Sequence, residues 1–163
     1  KPIFESMLYN VLLSATGIDK TVRFQLSQME IKHPELEGRC ILLAEDNLLN
    51  QEIAVELLRM SGIEVECACN GKEAVDKFLM EPLKYDAILM DVQMPLMNGY
   101  QATELIRRAE CPRSATIPII AMTADAFHED MVKAAASGMN AHMAKPIDPE
   151  QLYHLLKEKI LKE

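Results

Sequence analysis

No stretch of this 163-residue chain approaches the roughly 20 apolar residues a membrane-spanning helix requires, and no cleavable signal pattern opens it. The chain starts at Lys1 instead of Met, so a piece of a longer protein is expected, with room for a membrane anchor elsewhere in that parent. Its four cysteines (Cys40, Cys67, Cys69 and Cys111) form no CxxC pair, and no histidine stands at metal-finger spacing, which removes zinc modules. Cys67 and Cys69 alternate onto one face of an expected strand and read as buried free thiols, in keeping with a reducing, cytoplasmic setting. Basic charge is short as well. With 17 Lys and Arg against 25 Asp and Glu, the net charge of −8 argues against direct nucleic-acid binding, which wants a basic face. No glycine fingerprint follows the first apolar run, and no phosphate loop ending in Gly-Lys-Ser/Thr occurs, which sets nucleotide-binding folds aside.

What is present is alternation. Apolar residues make up 49% of the chain and charged ones 26%, ordinary for a globular domain. From Gly38 to the end, short apolar runs alternate with segments of helical spacing. Strands are expected over 40–44, 63–67, 86–90, 117–122 and 141–144, and helices over 48–60, 72–80, 100–108, 127–136 and 149–161. The turn signals agree: Ser61-Gly62, Asn70-Gly71, Pro95, Asn98-Gly99 and Gly138 lie between the elements. Five strand–helix units predict an α/β fold, a doubly wound five-stranded parallel sheet with helices on both faces. The functional crevice of such a sheet lies outside the carboxyl ends of its strands. Four separate strands deliver polar residues to that edge: Glu45 and Asp46, Asp91, Thr123, and Lys145.

These residue types imply a chemistry. Two like charges about 4 Å apart repel by roughly 4 kcal/mol at a surface-like effective dielectric. Three carboxylates at one edge therefore call for a hard divalent cation with oxygen ligands, Mg²⁺ above all. Lys145 adds a mobile positive charge and Thr123 a hydroxyl, and such a set around one carboxylate suits phosphoryl transfer. Asp91 ends the third strand between the acid pair and Lys145 and is the expected nucleophile. Blander readings stand beside these. Asp46 also suits a helix cap, His142 reads first as a packed imidazole, and Arg107-Arg108 as a solvated helix end. The eleven methionines read as core filler, with Met94 and Met97 also suited to a partner surface.

The stretches Ile41-Leu42-Leu43-Ala44-Glu45-Asp46-Asn47, Met90-Asp91-Val92-Gln93-Met94-Pro95-Leu96-Met97-Asn98-Gly99, Ile120-Ala121-Met122-Thr123-Ala124 and Lys145-Pro146-Ile147 occur in one order. In that order and spacing, residues 39–163 resemble the receiver domain of two-component response regulators, in the form attached to hybrid sensor histidine kinases, with a flavodoxin-like fold. The resemblance implies that Asp91 is the phosphoacceptor and that Asp46 binds Mg²⁺ directly, with Glu45 acting through water. It makes the backbone carbonyl of Gln93 a further metal ligand, Lys145 the partner of the phosphoryl oxygens, and Thr123 the hydroxyl that follows them. The aromatic switch position three residues before the lysine is His142 here, a departure that bears on how the signal reaches the surface. The implied partner is a histidine kinase or histidine-phosphotransfer domain carrying a phosphohistidine, in a cytoplasmic phosphorelay. The chain reads as a phosphoacceptor switch and not a turnover enzyme, and its parent as a hybrid histidine kinase whose ATP-binding motifs lie outside these residues. The alternatives are a degenerate receiver used only for docking and a Mg²⁺-dependent aspartyl-phosphate phosphatase of the haloacid-dehalogenase type. The phosphatase class needs Asp-x-Asp at its nucleophile, whereas Val92-Gln93 follows Asp91.

Residues 1–37 stand apart from this unit. Lys1-Pro2-Ile3, Leu8-Tyr9 and Leu12 repeat Lys145-Pro146-Ile147, Leu152-Tyr153 and Leu156 without gaps, which suggests duplication. Residues 1–15 are thus expected to be the terminal helix of an upstream receiver-like domain, 16–37 a linker, and 38–163 the receiver. The apolar side made by Ile3, Leu8, Val11 and Leu12 is expected to fold back or to self-associate.

Overall fold

The computed structural model describes residues 33–124 and 128–161. Its strands are β1 (Cys40–Ala44), β2 (Glu64–Ala68), β3 (Ala87–Asp91), β4 (Ile119–Thr123) and β5 (Ala141–Ala144). The helices between and after them are α1 (Leu48–Met60), α2 (Gly71–Met80), α3 (Gly99–Arg108), α4 (His128–Ser137) and α5 (Pro149–Ile160). All strand pairs are parallel, in the order β2-β1-β3-β4-β5. This is the doubly wound sheet expected above. The expected helix over residues 1–15, the linker up to residue 32, and Phe127 lie outside the described residues.

Burial explains the sequence texture. Every residue of β1, β3 and β4 is buried, because helices cover both faces of the central strands, and so these strands read as unbroken apolar runs. Alternate residues serve opposite layers. Leu42, Ala44, Ile88, Met90, Ile119 and Ala121 share one core with α2, α3 and Ala134 of α4. In the other layer the Tyr153 hydroxyl of α5 donates to the Leu57 carbonyl of α1. The edge strands β2 and β5 are only partly covered, and the expected pair of buried thiols is corrected there. Cys67 is half-buried and Cys69 exposed, since the strand ends at Ala68 and Cys69 passes into the turn before α2. Burial raises the Cys67 thiol pKa above its ordinary value.

Four helices start on the same device. The side-chain oxygens of Asn47, Asn70, Asn98 and Asp148 accept from the backbone N–H three residues on, at 2.9–3.1 Å. Each satisfies one of the donors that a helix N-terminus leaves open. Asn47, not Asp46, caps α1, so the bland reading of Asp46 as a cap is set aside.

Three strands begin one or two residues later than their apolar runs. The clearest cause is Pro118, which has no N–H for the ladder; it contributes only its carbonyl, accepting from Ile88 N–H at 2.8 Å. β4 therefore starts at Ile119 and carries Thr123 within the strand.

Two features were not expected. First, residues 34–36 form a 3₁₀ turn whose Leu36 is fully buried, with His33 against the Tyr153 ring and Glu35 paired to Lys157. Burying a leucine is worth about 2 kcal/mol. A chain starting at Glu37 should therefore be about 2 kcal/mol less stable in urea unfolding than one starting at His33. Equal midpoints would show that the turn contributes nothing.

Second, Arg107 is no solvated helix end. Its guanidinium donates to the carbonyls of Gly138 (2.9 Å), Ser114 (2.8 Å) and Ile117 (2.8 Å) and to Asn140 Oδ1 (2.8 Å), tying α3 to the segments before β4 and β5. Arg108 alone is exposed. Truncation strands several part-buried carbonyls, so Arg107→Ala should cost about 2 kcal/mol in equilibrium unfolding. A loss within about 0.5 kcal/mol, usual for a surface substitution, would restore the solvated reading.

Candidate functional site

The strand order brings the polar ends together. β1 and β3 are neighbours, yet the chain leaves β1 toward β2 on one side and returns to β3 on the other. At this reversal the connections diverge and leave a crevice at the carboxyl edge. Glu45 and Asp46 follow β1 and Asp91 ends β3, and their carboxylates offer oxygens within 4.8 Å of one another. Glu45 and Asp91 are buried, at 1% and 3% exposure, whereas Asp46 is open to solvent.

Lys145 closes the far side. Its Nζ lies 2.7 Å from Glu45 Oε2 and 2.7 Å from Asp91 Oδ2. The lysine is carried there by backbone: its N–H donates to the Thr123 carbonyl at 2.7 Å, at the end of the β4–β5 ladder. Burial alone would depress the ammonium, but the bonds to Asp91 and Glu45 hold its pKa above the ordinary lysine value. It is therefore charged at neutral pH. The second Asp91 oxygen, Oδ1, accepts the Gln93 backbone N–H at 3.1 Å. Burial pushes the Asp91 carboxyl up to about 6; the Lys145 bond opposes this, the Glu45 charge adds to it, and the Gln93 N–H opposes it again. One ammonium thus serves two buried carboxylates beside a third acid, which leaves the cleft short of positive charge.

Thr123 is nearly buried at the end of β4. His142 sits half-buried on edge strand β5, opposite Ala121 in the ladder, one strand further out from Asp91. An open cleft of about 480 Å³ adjoins the site and is lined in part by Gln93, Asn98, Tyr100, Asp130 and Lys133. Of the two methionines suited to a partner surface, Met94 is buried and Met97 packs on the core. The exposed residue of that loop is Leu96, at 87%, and Leu48 stands out at 68% on the first turn of α1. Sequence reasoning also missed Asn50 and Gln51, which reach back onto Glu45 from that turn. Their spacing, three and four residues beyond the first helix cap, was the available signal.

A doubly wound parallel sheet with an acid triad and a lysine at its switch point has the donor set of a phosphoryl-transfer site. The family model for the response regulator receiver domain matches residues 41–157, and the chain belongs to that family. It is 39% identical over 165 residues to hybrid signal transduction histidine kinase I of Dictyostelium discoideum, covering 99% of this chain and 9% of that protein. It is 42% identical over 122 residues to the osmosensing histidine protein kinase SLN1 of Saccharomyces cerevisiae, covering 72% of this chain and 10% of that one. The chain thus spans about a tenth of these relatives. Among solved structures, the receiver domain of a Pseudomonas aeruginosa sensor histidine kinase, with a magnesium ion coordinated in its active site cleft, is 39% identical with a TM-score of 0.69; 77% of this chain and 99% of that one are covered. The receiver domain of the S. cerevisiae regulator Ssk1, crystallised with the histidine phosphotransfer protein Ypd1, is 29% identical with a TM-score of 0.68, covering 77% and 91%. Among the described residues no helix is long and apolar enough to cross a membrane.

Proposed function

We propose that the chain is the phosphoacceptor module of a hybrid histidine kinase, and that Asp91 takes up the phosphoryl group in a Mg²⁺-dependent step. The observation that carries this reading is the single ammonium of Lys145 shared between buried Glu45 and Asp91, with Asp46 beside them. Three hard oxygen donors and one cation fit Mg²⁺, which typically takes one or two carboxylates, keeps waters and accepts phosphoryl oxygens. Asp46 and Asp91 would hold the ion, with the Gln93 carbonyl and, through water, Glu45. Bound there, it would neutralise charge gathering on the phosphoryl oxygens.

The chain's own residues do the rest. The Gln93 N–H on Oδ1 and Lys145 on Oδ2 fix the Asp91 carboxylate in place. One Asp91 oxygen attacks phosphorus, the donor's N–P bond breaks, and its electron pair stays on the departing imidazole. Lys145 then faces the phosphoryl oxygens with its charge intact. The Thr123 hydroxyl, one strand over, follows the phosphoryl group. A charge-assisted hydrogen bond supplies about 1.5–3 kcal/mol, short of the roughly 5.5 kcal/mol needed to invert a 1:99 equilibrium, so Thr123 and Lys145 act together. The change would run out through β4, α4 and β5, where His142 occupies the switch position. The donor would be a phosphohistidine on a histidine kinase or phosphotransfer domain, and the setting cytoplasmic. Self-association through residues 1–15 remains part of the reading and is tested by light scattering of the whole and trimmed chains.

Incubation with Mg²⁺ and acetyl phosphate should add the mass of one phosphoryl group, lost again in mild base. A chain that stays unmodified under those conditions would be a docking module only. Leu48, two residues after Asp46, and Leu96, five after Asp91, are exposed apolar side chains on segments that follow the acids, and they suit a docking phosphohistidine protein. Leu48→Asp with Leu96→Asp should slow transfer from a phosphotransfer protein at least tenfold while leaving labelling by acetyl phosphate within about twofold, since apolar anchors act on binding and not on chemistry. Equal slowing with both donors would place the effect on the site itself.

A further inference from the structure

We propose that Asn50, seconded by Gln51, is a positioning residue for Glu45 and sets the affinity of the acidic cleft for a divalent cation. This rests on the reading of Glu45 as part of the metal site.

Three of the four polar atoms of Glu45 are hydrogen-bonded, and the fourth, Oε2, makes no hydrogen bond and has Lys145 as its ion-pair partner. Its N–H donates to the Ala68 carbonyl at 3.0 Å, and its own carbonyl accepts from Gln51 Nε2 at 3.2 Å. In the carboxylate, Oε2 faces Lys145, while Oε1 accepts the Asn47 N–H at 3.1 Å and Asn50 Nδ2 at 3.4 Å. The two amides come from consecutive residues in the first turn of α1, one aimed at the side chain of Glu45 and the other at its backbone. The turn itself is pinned, because Asn47 Oδ1 caps the Asn50 N–H at 3.1 Å.

Glutamate carries one more rotatable bond than aspartate. Without a tether, repulsion from Asp46 and Asp91 would turn it away from them. An amide holds the carboxylate without neutralising it. A lysine or arginine at position 50 would also bind Oε1, but as a counter-ion it would compete with the metal for the same charge. The neutral side chain fixes the geometry and leaves the negative potential of the cleft to the cation. Partners that orient a metal-binding group without touching the metal commonly matter to affinity.

The test is isothermal titration of MgCl₂ into the full 163-residue chain. Asn50→Ala should raise Kd about tenfold, and Gln51→Ala by a smaller factor. In a Glu45→Ala background, Asn50→Ala should add nothing, because its effect runs through the carboxylate. Asn70→Ala strips the cap of α2 and should lower the unfolding midpoint without moving Kd, which separates positioning from loss of stability. A Kd within twofold of the unsubstituted chain in Asn50→Ala would overturn the inference, as would equal weakening with and without Glu45. If the unsubstituted chain binds no Mg²⁺, the reading of the metal site falls first; normal binding there with an unchanged Asn50→Ala removes the positioning role alone.

Discussion

Asp91→Asn should abolish phosphoryl uptake from acetyl phosphate and, in the absence of divalent cation, should leave the domain at least as stable as before. On the proposed mechanism the amide lacks the anionic oxygen that attacks phosphorus, and neither neighbouring carboxylate is placed to stand in. Glu45 is buried and tied down by its own partners, and Asp46 is not held by Lys145. The stability half follows from linkage. Burial lifts the Asp91 carboxyl to about 6, above the ordinary aspartate range near 4. An acid whose folded pKa is raised binds its proton more tightly in the native state, so native stability falls as pH rises through the window from about 4 to about 6. Above that window the unsubstituted domain carries an ionised Asp91 against Glu45, and the neutral asparagine relieves it. The gain of Asp91→Asn should be present at pH 7 and vanish near pH 4, read by urea unfolding with EDTA. Intact mass decides the first half: a phosphoryl adduct on the variant would move the acceptor to another residue.

Gly99→Ala should cost about 3 kcal/mol and strongly impair phosphoryl uptake, although the substitution lies on a helix first turn where alanine is intrinsically favoured. A Cβ at this position would fall well inside van der Waals contact with the Asp91 carbonyl oxygen, 3.0 Å from its carbonyl carbon and 3.0 Å from Met90 Cγ. The Gly99 N–H also donates to the Val92 carbonyl at 2.9 Å, so the loop after Asp91 folds directly back onto the strand that carries it. Relief of the clash must move backbone, either the start of α3 or the end of β3, and the latter displaces Asp91 and the Gln93 N–H together. The effect is steric and not one of handedness, because Gly99 is not among the positive-φ glycines, whereas Gly62 and Gly138 are. Thermal melting and the labelling rate measured on the same sample check both parts. A stable, normally labelled Gly99→Ala would show that the close approach is relieved without disturbing the site.

The helix starts were readable from residue types, since an Asn or Asp three residues before a free N–H is a local arrangement. The exposed Leu96 and the buried Met94 were not. Both lie in a loop whose apolar residues look alike in sequence, and only the fold decides which one turns inward. Arg107 looks like a solvated helix end in sequence for a related reason. Its partners are carbonyls 7, 10 and 31 residues away and an asparagine side chain 33 away, and a backbone acceptor has no signature in the residue code. Asn98-Gly99 was recognised as a turn, but the close approach of Asp91 that demands glycine there belongs to another segment.

By itself the sequence determined the apolar strands, the turns between elements, and the polar residues at the strands' carboxyl ends, because side-chain periodicity and backbone preference act within a few residues. The tertiary structure alone decided that β1 lies beside β3. Parallel crossovers of similar length and hand permit several strand orders, and the choice among them is made by packing over the whole sheet. That choice sets the acid pair after β1 next to Asp91, puts Lys145 between two buried carboxylates, and turns three separate strand ends into one cluster, with the Thr123 carbonyl of a fourth holding the Lys145 backbone.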